Sequence, residues 1–125
     1  MKSNIAIIGV GSNINADINI PHMLKLLDKQ VEILKISKMI RTKPVGNINQ
    51  PDYTNGAIKI ATPLKKEALK NLLKSIEDDL GRDRTAPKYS PRTMDLDLVV
   101  WNGRILDKDY HTRDFLRKSV QEVIS

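Results

Sequence analysis

No cysteine occurs in this chain of 125 residues. Disulfides, thiol nucleophiles and thiolate metal sites are therefore excluded. Long apolar runs are also missing. The longest, Ile5 to Val10, is far too short to cross a bilayer. It lacks the length and cleavage pattern of a secretory signal as well, so a cytoplasmic protein without a membrane association is expected. Aromatics are scarce: one Trp, three Tyr and one Phe. Sheet-surface recognition of RNA depends on aromatics exposed on strands. No such run is present, which argues against a nucleic-acid module. The phosphate-binding signature G-x-x-x-x-G-K-[ST] is absent. Gly9-Val10-Gly11 does not complete a dinucleotide fingerprint either, because Ile14 stands where the third glycine belongs.

What is present is a compact globular pattern. A hydrophobic share of 40% supports a core, and the length suits one domain spanning 1–125. No internal repeat or low-complexity linker divides it. Lys and Arg outnumber Asp and Glu by 21 to 15, giving a net charge of +6. That surplus favours polyanionic partners such as nucleotides.

Residues 4–10 read as a buried strand ended by Gly11-Ser12-Asn13. A helix is expected over about 19–30, with Asn19 as its cap, Pro21 in its first turn, and Met23, Leu24, Leu27 and Val31 on its apolar side. Residues 31–41 alternate as a half-buried strand. The stretch 42–56 is a long loop, of the kind that often serves as a functional lid. Residues 56–62 form a third strand. Thr62 and Pro63 look like the start of a second helix, in which Leu69, Leu72, Leu73, Ile76 and Leu80 repeat at helical spacing and Gly81 closes the end. A second, basic, proline-broken loop precedes a strand at 95–101. Asn102-Gly103 then signals a turn into a short return strand. A last helix is expected at about 112–123. The order βαββαβ is solved compactly by an α+β ferredoxin-like sandwich, an antiparallel sheet with helices packed on one face.

The sharpest chemical feature is Asp95-Leu96-Asp97. Residues two apart on a strand share a face, so Leu96 and Leu98 enter the core while both carboxylates face the open side. Two adjacent carboxylates repel, and a divalent cation relieves that cost. The same pair is also compatible with two solvated aspartates. Arg82, Arg84, Lys88 and Arg92 precede it closely. Guanidinium forks match phosphate oxygens, and carboxylates beside such cations compose a triphosphate site. In the first loop Tyr53 offers a π face and Asn55 offers donors and an acceptor for a heterocycle edge. A packed tyrosine and a turn asparagine would look the same.

Taken together, GSN (11–13), RTKPVGNINQPDYTNGA (41–57), IEDDLGRDR (76–84) and PRTMDLDLVVW (91–101) resemble the 6-hydroxymethyl-7,8-dihydropterin pyrophosphokinases of folate synthesis. The likeness runs from about residue 5 to 101. It implies the same ferredoxin-like fold and a reaction of ATP with 6-hydroxymethyl-7,8-dihydropterin that yields AMP and the pterin pyrophosphate. It further implies two Mg²⁺ ions on Asp95 and Asp97, with Arg82, Arg84 and Arg92 gripping phosphates and the first two riding on a mobile lid. Glu77 falls near the nucleotide and Leu98 meets adenine through its backbone. Thr42, Val45, Tyr53 and Asn55 line the pterin pocket, where Asp95 accepts a hydrogen bond from the substrate hydroxyl. A monomer or weak oligomer is expected.

The chain also departs from the family. Lys88, Tyr89 and Ser90 stand where arginine, tryptophan and glycine are frequent. After residue 101 the usual His-Pro segment is missing, and DKDYHTRDFLRKSV (107–120) stands in its place. Arg113-Asp114-Phe115 resembles the family's Arg-x-Phe element. On that basis Phe115 supplies a second pterin face, and Arg113, Tyr110 and His111 become ATP contacts. Tyr110 and His111 are equally compatible with a surface connector. A paralogue with an altered heterocycle substrate is the alternative reading.

Overall fold

A computed structural model describes residues 3–44, 46, 49–88 and 90–125. Val45 and Tyr89 lie outside the described residues. The elements run β1 (Asn4–Ser12), α1 (Ala16–Asp28), β2 (Glu32–Ile36), β3 (Ile40–Thr42), β4 (Tyr53–Thr62), α2 (Lys66–Asp79), β5 (Asp95–Trp101), β6 (Arg104–Ile105), α3 (Asp109–Thr112) and α4 (Asp114–Val123). The strands form one antiparallel sheet in the order β2-β4-β1-β5-β6, with β3 also paired to β4. This is the expected α+β sandwich.

Strand alternation sorts the core. Ala6, Ile8 and Val10 of β1, Ile58 and Ile60 of β4, and Leu96 and Leu98 of β5 face α1 and α2. They pack on Ile20, Met23 and Leu27 of α1 and on Leu69, Leu73 and Ile76 of α2. The alternate positions Ile7, Ala57 and Val99 point to the other face, where Leu116, Val120 and Val123 of α4 cover part of it. The rest of that second face stays open beside α4. A bulge sharpens the division, because Ile7 pairs with Val100 while Ile8 pairs with Leu98. The extra residue, Val99, locally re-aims β5.

Several boundaries differ from the sequence reading. The first strand continues to Ser12, where a ladder with β4 persists. The first helix starts at Ala16 after a left-handed Asn15, so Asn19 and Pro21 lie inside it. Asn19 does not cap; its Nδ2 donates back to the Ile14 carbonyl at 2.7 Å. The single strand expected at 31–41 is broken at Ser37. There the hydroxyl accepts the Ala57 amide hydrogen at 2.8 Å and locally replaces a backbone partner. Thr62 remains in β4, paired with Asn4, so α2 begins four residues later with no side-chain cap. Sheet pairing here overrides a good capping pair. Gly81 does end α2, at φ +85. The final helix, α4, starts two residues later than expected, after an extended Arg113, and a four-residue helix, α3, precedes it.

Candidate active site

The open half of the second sheet face is where the chemistry collects. Gly11 of β1 lies in register between Asn55 of β4 and Asp95 of β5. Gly9 lies between Ala57 and Asp97. Two residues without side chains therefore floor a trough whose walls are Asn55 and Tyr53 on one side and the two aspartates on the other. A Cβ on Gly11 would come to 3.0 Å from Asn55 Oδ1 and 3.6 Å from Tyr53 Cδ1. A Cβ on Gly9 would meet Val99 and Leu116 at 3.1 and 3.2 Å. The space is a cavity of about 370 Å³, the size of a small-molecule site.

Thr42, Tyr53, Asn55, Asp95, Asp97 and Arg92 all line this cavity, and so do Arg113 and Phe115 from the divergent tail. Thr42 fixes Asn55: Asn55 Nδ2 donates to the Thr42 hydroxyl, leaving Oδ1 turned over Gly11. Burial pushes the Tyr53 hydroxyl pKa upward, with Asp95 adding to the rise and Arg92 and Arg82 opposing it. The phenol therefore stays neutral at physiological pH.

A second cavity of about 550 Å³ lies toward α2 and shares Asp97 as a wall. Glu77, Arg82, Arg84 and Leu98 line it. Glu77 is 4% exposed and organises the region. Its Oε2 accepts from Arg82 at 3.0 Å and from the Leu96 amide at 2.7 Å, and its Oε1 accepts from Arg84 at 2.9 Å. A buried carboxylate so paired holds both guanidinium groups at the rim. Arg82 also reaches Asp95 Oδ1 at 3.2 Å, and Arg92 reaches Asp95 Oδ2 at 3.1 Å. Asp95 thus stands between two arginines.

Asp97 is in a different position. Water reaches its carboxylate, yet it sits against a concave protein wall. Among the described residues it makes no salt bridge. Desolvation first, then the charges of Asp95, Asp107 and Glu77, raise its pKa to about 7, with Arg92 opposing. Among the described residues no cluster of three or more metal-ligating side chains occurs. A cation here would take two hard carboxylate ligands from the protein and the remainder from water and phosphate, which is the habit of Mg²⁺. The donor set fits that ion.

Tyr110 and His111 line neither cavity. Tyr110 packs against the α4-side cluster and meets the His111 ring edge-on at 5.2 Å. Sequence reasoning missed Asp107, which lines both cavities, although Asp107-Lys108-Asp109 repeats the spacing of Asp95 and Asp97. Lys70 and Lys74 on α2 were not singled out either. They line the second cavity with Glu77, and their helical spacing from Glu77 is the signal that was available. The glycine floor carried no signal beyond the failed dinucleotide pattern.

Paired carboxylates, converging arginines and a ring-sized trough on an antiparallel α+β sheet are the parts that a phosphoryl-transfer site requires. The family model for 7,8-dihydro-6-hydroxymethylpterin-pyrophosphokinase matches residues 7–125, and the chain belongs to that family. A 2-amino-4-hydroxy-6-hydroxymethyldihydropteridine pyrophosphokinase of Haemophilus influenzae is 31% identical, covering 96% of this chain and 81% of that protein. The Bacillus subtilis protein of the same description is 37% identical over 86% of this chain and 65% of its own length. A folate synthesis bifunctional protein of Arabidopsis thaliana is 36% identical over 82% of this chain, which spans only 22% of it.

Proposed function

We propose that this protein transfers the β,γ-pyrophosphoryl group of ATP to the hydroxymethyl group of 6-hydroxymethyl-7,8-dihydropterin, giving AMP and the pterin pyrophosphate in folate synthesis. The observation that carries the reading is the juxtaposition of Asp95 and Asp97 with a glycine-floored trough walled by Tyr53 and Asn55. Family membership supports it. In this reading the pterin ring lies in the trough. Asn55, oriented by Thr42, meets its edge, while Tyr53 and Phe115 supply flat apolar surface. The nucleotide occupies the second cavity, with Leu98 at its base end and Glu77 holding the arginines beside its phosphates.

The hydroxymethyl oxygen attacks the β-phosphorus. A new oxygen–phosphorus bond forms, the bond from the β-phosphorus to the α,β-bridging oxygen breaks, and AMP leaves. Asp95 accepts the hydrogen bond of the attacking hydroxyl and aims it; the proton passes to solvent. Arg82, Arg84, Arg92 and Arg113 offset charge on the phosphates. Asp95 and Asp97 are the residues that would hold Mg²⁺, expected as two ions, which neutralise phosphate charge when bound. On binding, Arg92 can turn from Asp95 to phosphate oxygens, while Arg82 and Arg84 keep Glu77 and present their remaining N–H groups to phosphate, so the buried carboxylate stays paired in both states.

The test is incubation with ATP, Mg²⁺ and the reduced pterin, beside an Asp97→Ala variant. Pterin-dependent AMP that disappears in the variant supports the assignment. AMP formed at equal rate by the variant would remove Asp97 from it.

A further inference from the structure

Asn13 lines neither cavity, yet it touches the loops that border both. It is 5% exposed. Its backbone amide donates to the Arg92 carbonyl at 3.0 Å, and its Oδ1 accepts the Arg92 amide hydrogen at 2.7 Å. The side chain thus completes a two-way bridge with Arg92, as a second strand would. Its Nδ2 donates in the other direction, to Gln50 Oε1 at 2.7 Å and to the Pro51 carbonyl at 3.1 Å. The neighbouring Ser12 hydroxyl donates to the Thr93 carbonyl at 2.6 Å. Gln50 and Pro51 lead directly into Tyr53. Arg92 sits three residues before Asp95 and reaches its carboxylate.

We infer that Asn13 is a positioning residue that fastens the ring-side loop to the phosphate-side loop, so that a heterocycle in the trough sets Arg92 for the nucleotide. The inference rests on the two-substrate reading given above. A buried amide with both donors and its acceptor engaged leaves little freedom to either loop. Whichever ligand arrives first shifts both loops together, and the second ligand then meets a loop already in place. Coupling of this kind is reciprocal. Ala at position 13 keeps the backbone hydrogen bond to Arg92 but removes the three side-chain hydrogen bonds, so the loops would order independently.

The test measures binding of α,β-methylene-ATP with Mg²⁺, in the absence and presence of saturating 6-hydroxymethylpterin. In the wild type the pterin should tighten nucleotide binding about tenfold. In Asn13→Ala that factor should fall below about twofold, while each ligand alone binds within about threefold of the wild type. Gln50→Ala, which removes one of the two ring-side contacts, should give an intermediate factor and serves as the test if Asn13→Ala does not fold. A purely structural Asn13 would lower the melting temperature and weaken both ligands, with the coupling factor intact; that result overturns the inference. So does a wild type without coupling, or a Gln50→Ala variant that retains all of it when Asn13→Ala cannot be measured. A wild type that binds neither ligand would instead overturn the functional reading itself, and this inference with it.

Discussion

Replacing Gly11 with alanine tests the trough at its narrowest point. The added methyl would sit 3.0 Å from Asn55 Oδ1 and 3.6 Å from the Tyr53 ring. The first distance is shorter than a carbon–oxygen contact allows, so Asn55 must move by a few tenths of an ångström. Asn55 is held by Thr42, and its movement misaligns the amide against any ring edge. A misaligned buried hydrogen bond costs about 1–3 kcal/mol, or roughly fivefold to 150-fold in affinity. The methyl also occupies the floor on which the ring would lie. Gly11 is extended strand backbone paired on both sides, a conformation alanine adopts without strain. Stability should therefore change little, because lost unfolded-state entropy contributes about 0.4–1 kcal/mol in its favour and offsets the crowding. The assay is steady-state AMP formation with each substrate varied in turn, beside thermal unfolding. KM for the pterin should rise at least tenfold, KM for ATP should move less than about threefold, and the melting temperature should hold within about 3 °C. An unchanged pterin KM, or equal loss for both substrates, would refute the placement of the ring over Gly11.

Glu77→Ala should destabilise the fold by about 3–5 kcal/mol, because Arg82 loses a buried partner and the Leu96 amide is orphaned; chemical denaturation measures this, and a loss below about 1 kcal/mol would mean that Glu77 is not the organiser. Asp97 has a folded-state pKa near 7, above its unfolded value. The folded protein then binds more protons, so this group lowers stability as pH rises from about 4 through 7. Without Mg²⁺, Asp97→Asn should be more stable than the wild type at pH 8 by about 1–2 kcal/mol, after allowance for water access to the group, and equal to it near pH 4. A gap that is the same at both pH values would contradict the environment described. Mg²⁺ and nucleotide binding should release close to one proton at pH 6 and almost none at pH 9, read by calorimetry in buffers of different ionisation enthalpy. Arg92→Lys keeps the charge but loses the fork. It should lower kcat about tenfold or more and leave pterin KM within a few-fold, and equal activity would sink its phosphate role.

Much of this was legible in residues alone. Alternation in Asp95–Trp101 placed both aspartates on one face and Leu96 and Leu98 in the core, as observed. The leucine spacing of α2 was readable because a helix buries one stripe. What failed was set by tertiary pairing. Thr62 looks like a cap, but Asn4 holds it in the ladder. Ser37 looks like one more polar position in an alternating strand, and only its contact with Ala57 reveals the break. The site followed the same rule. Side chains with obvious chemistry were identifiable, whereas Gly9 and Gly11 matter through the strands beside them and Asn13 through the loops it touches, and such neighbours are not written in local sequence. Asp107 and Lys74 were missed because charged residues in turns and on helices are usually solvated.

The most direct test of the central claim follows the phosphorus itself. ATP labelled in the β-phosphate is incubated with the protein, Mg²⁺ and 6-hydroxymethyl-7,8-dihydropterin, and the pterin product is isolated and weighed by mass spectrometry. The account predicts a pterin carrying two phosphates, with the label in the one esterified to the hydroxymethyl oxygen and AMP released in equal amount. A pterin carrying a single unlabelled phosphate, with ADP as the other product, would contradict it.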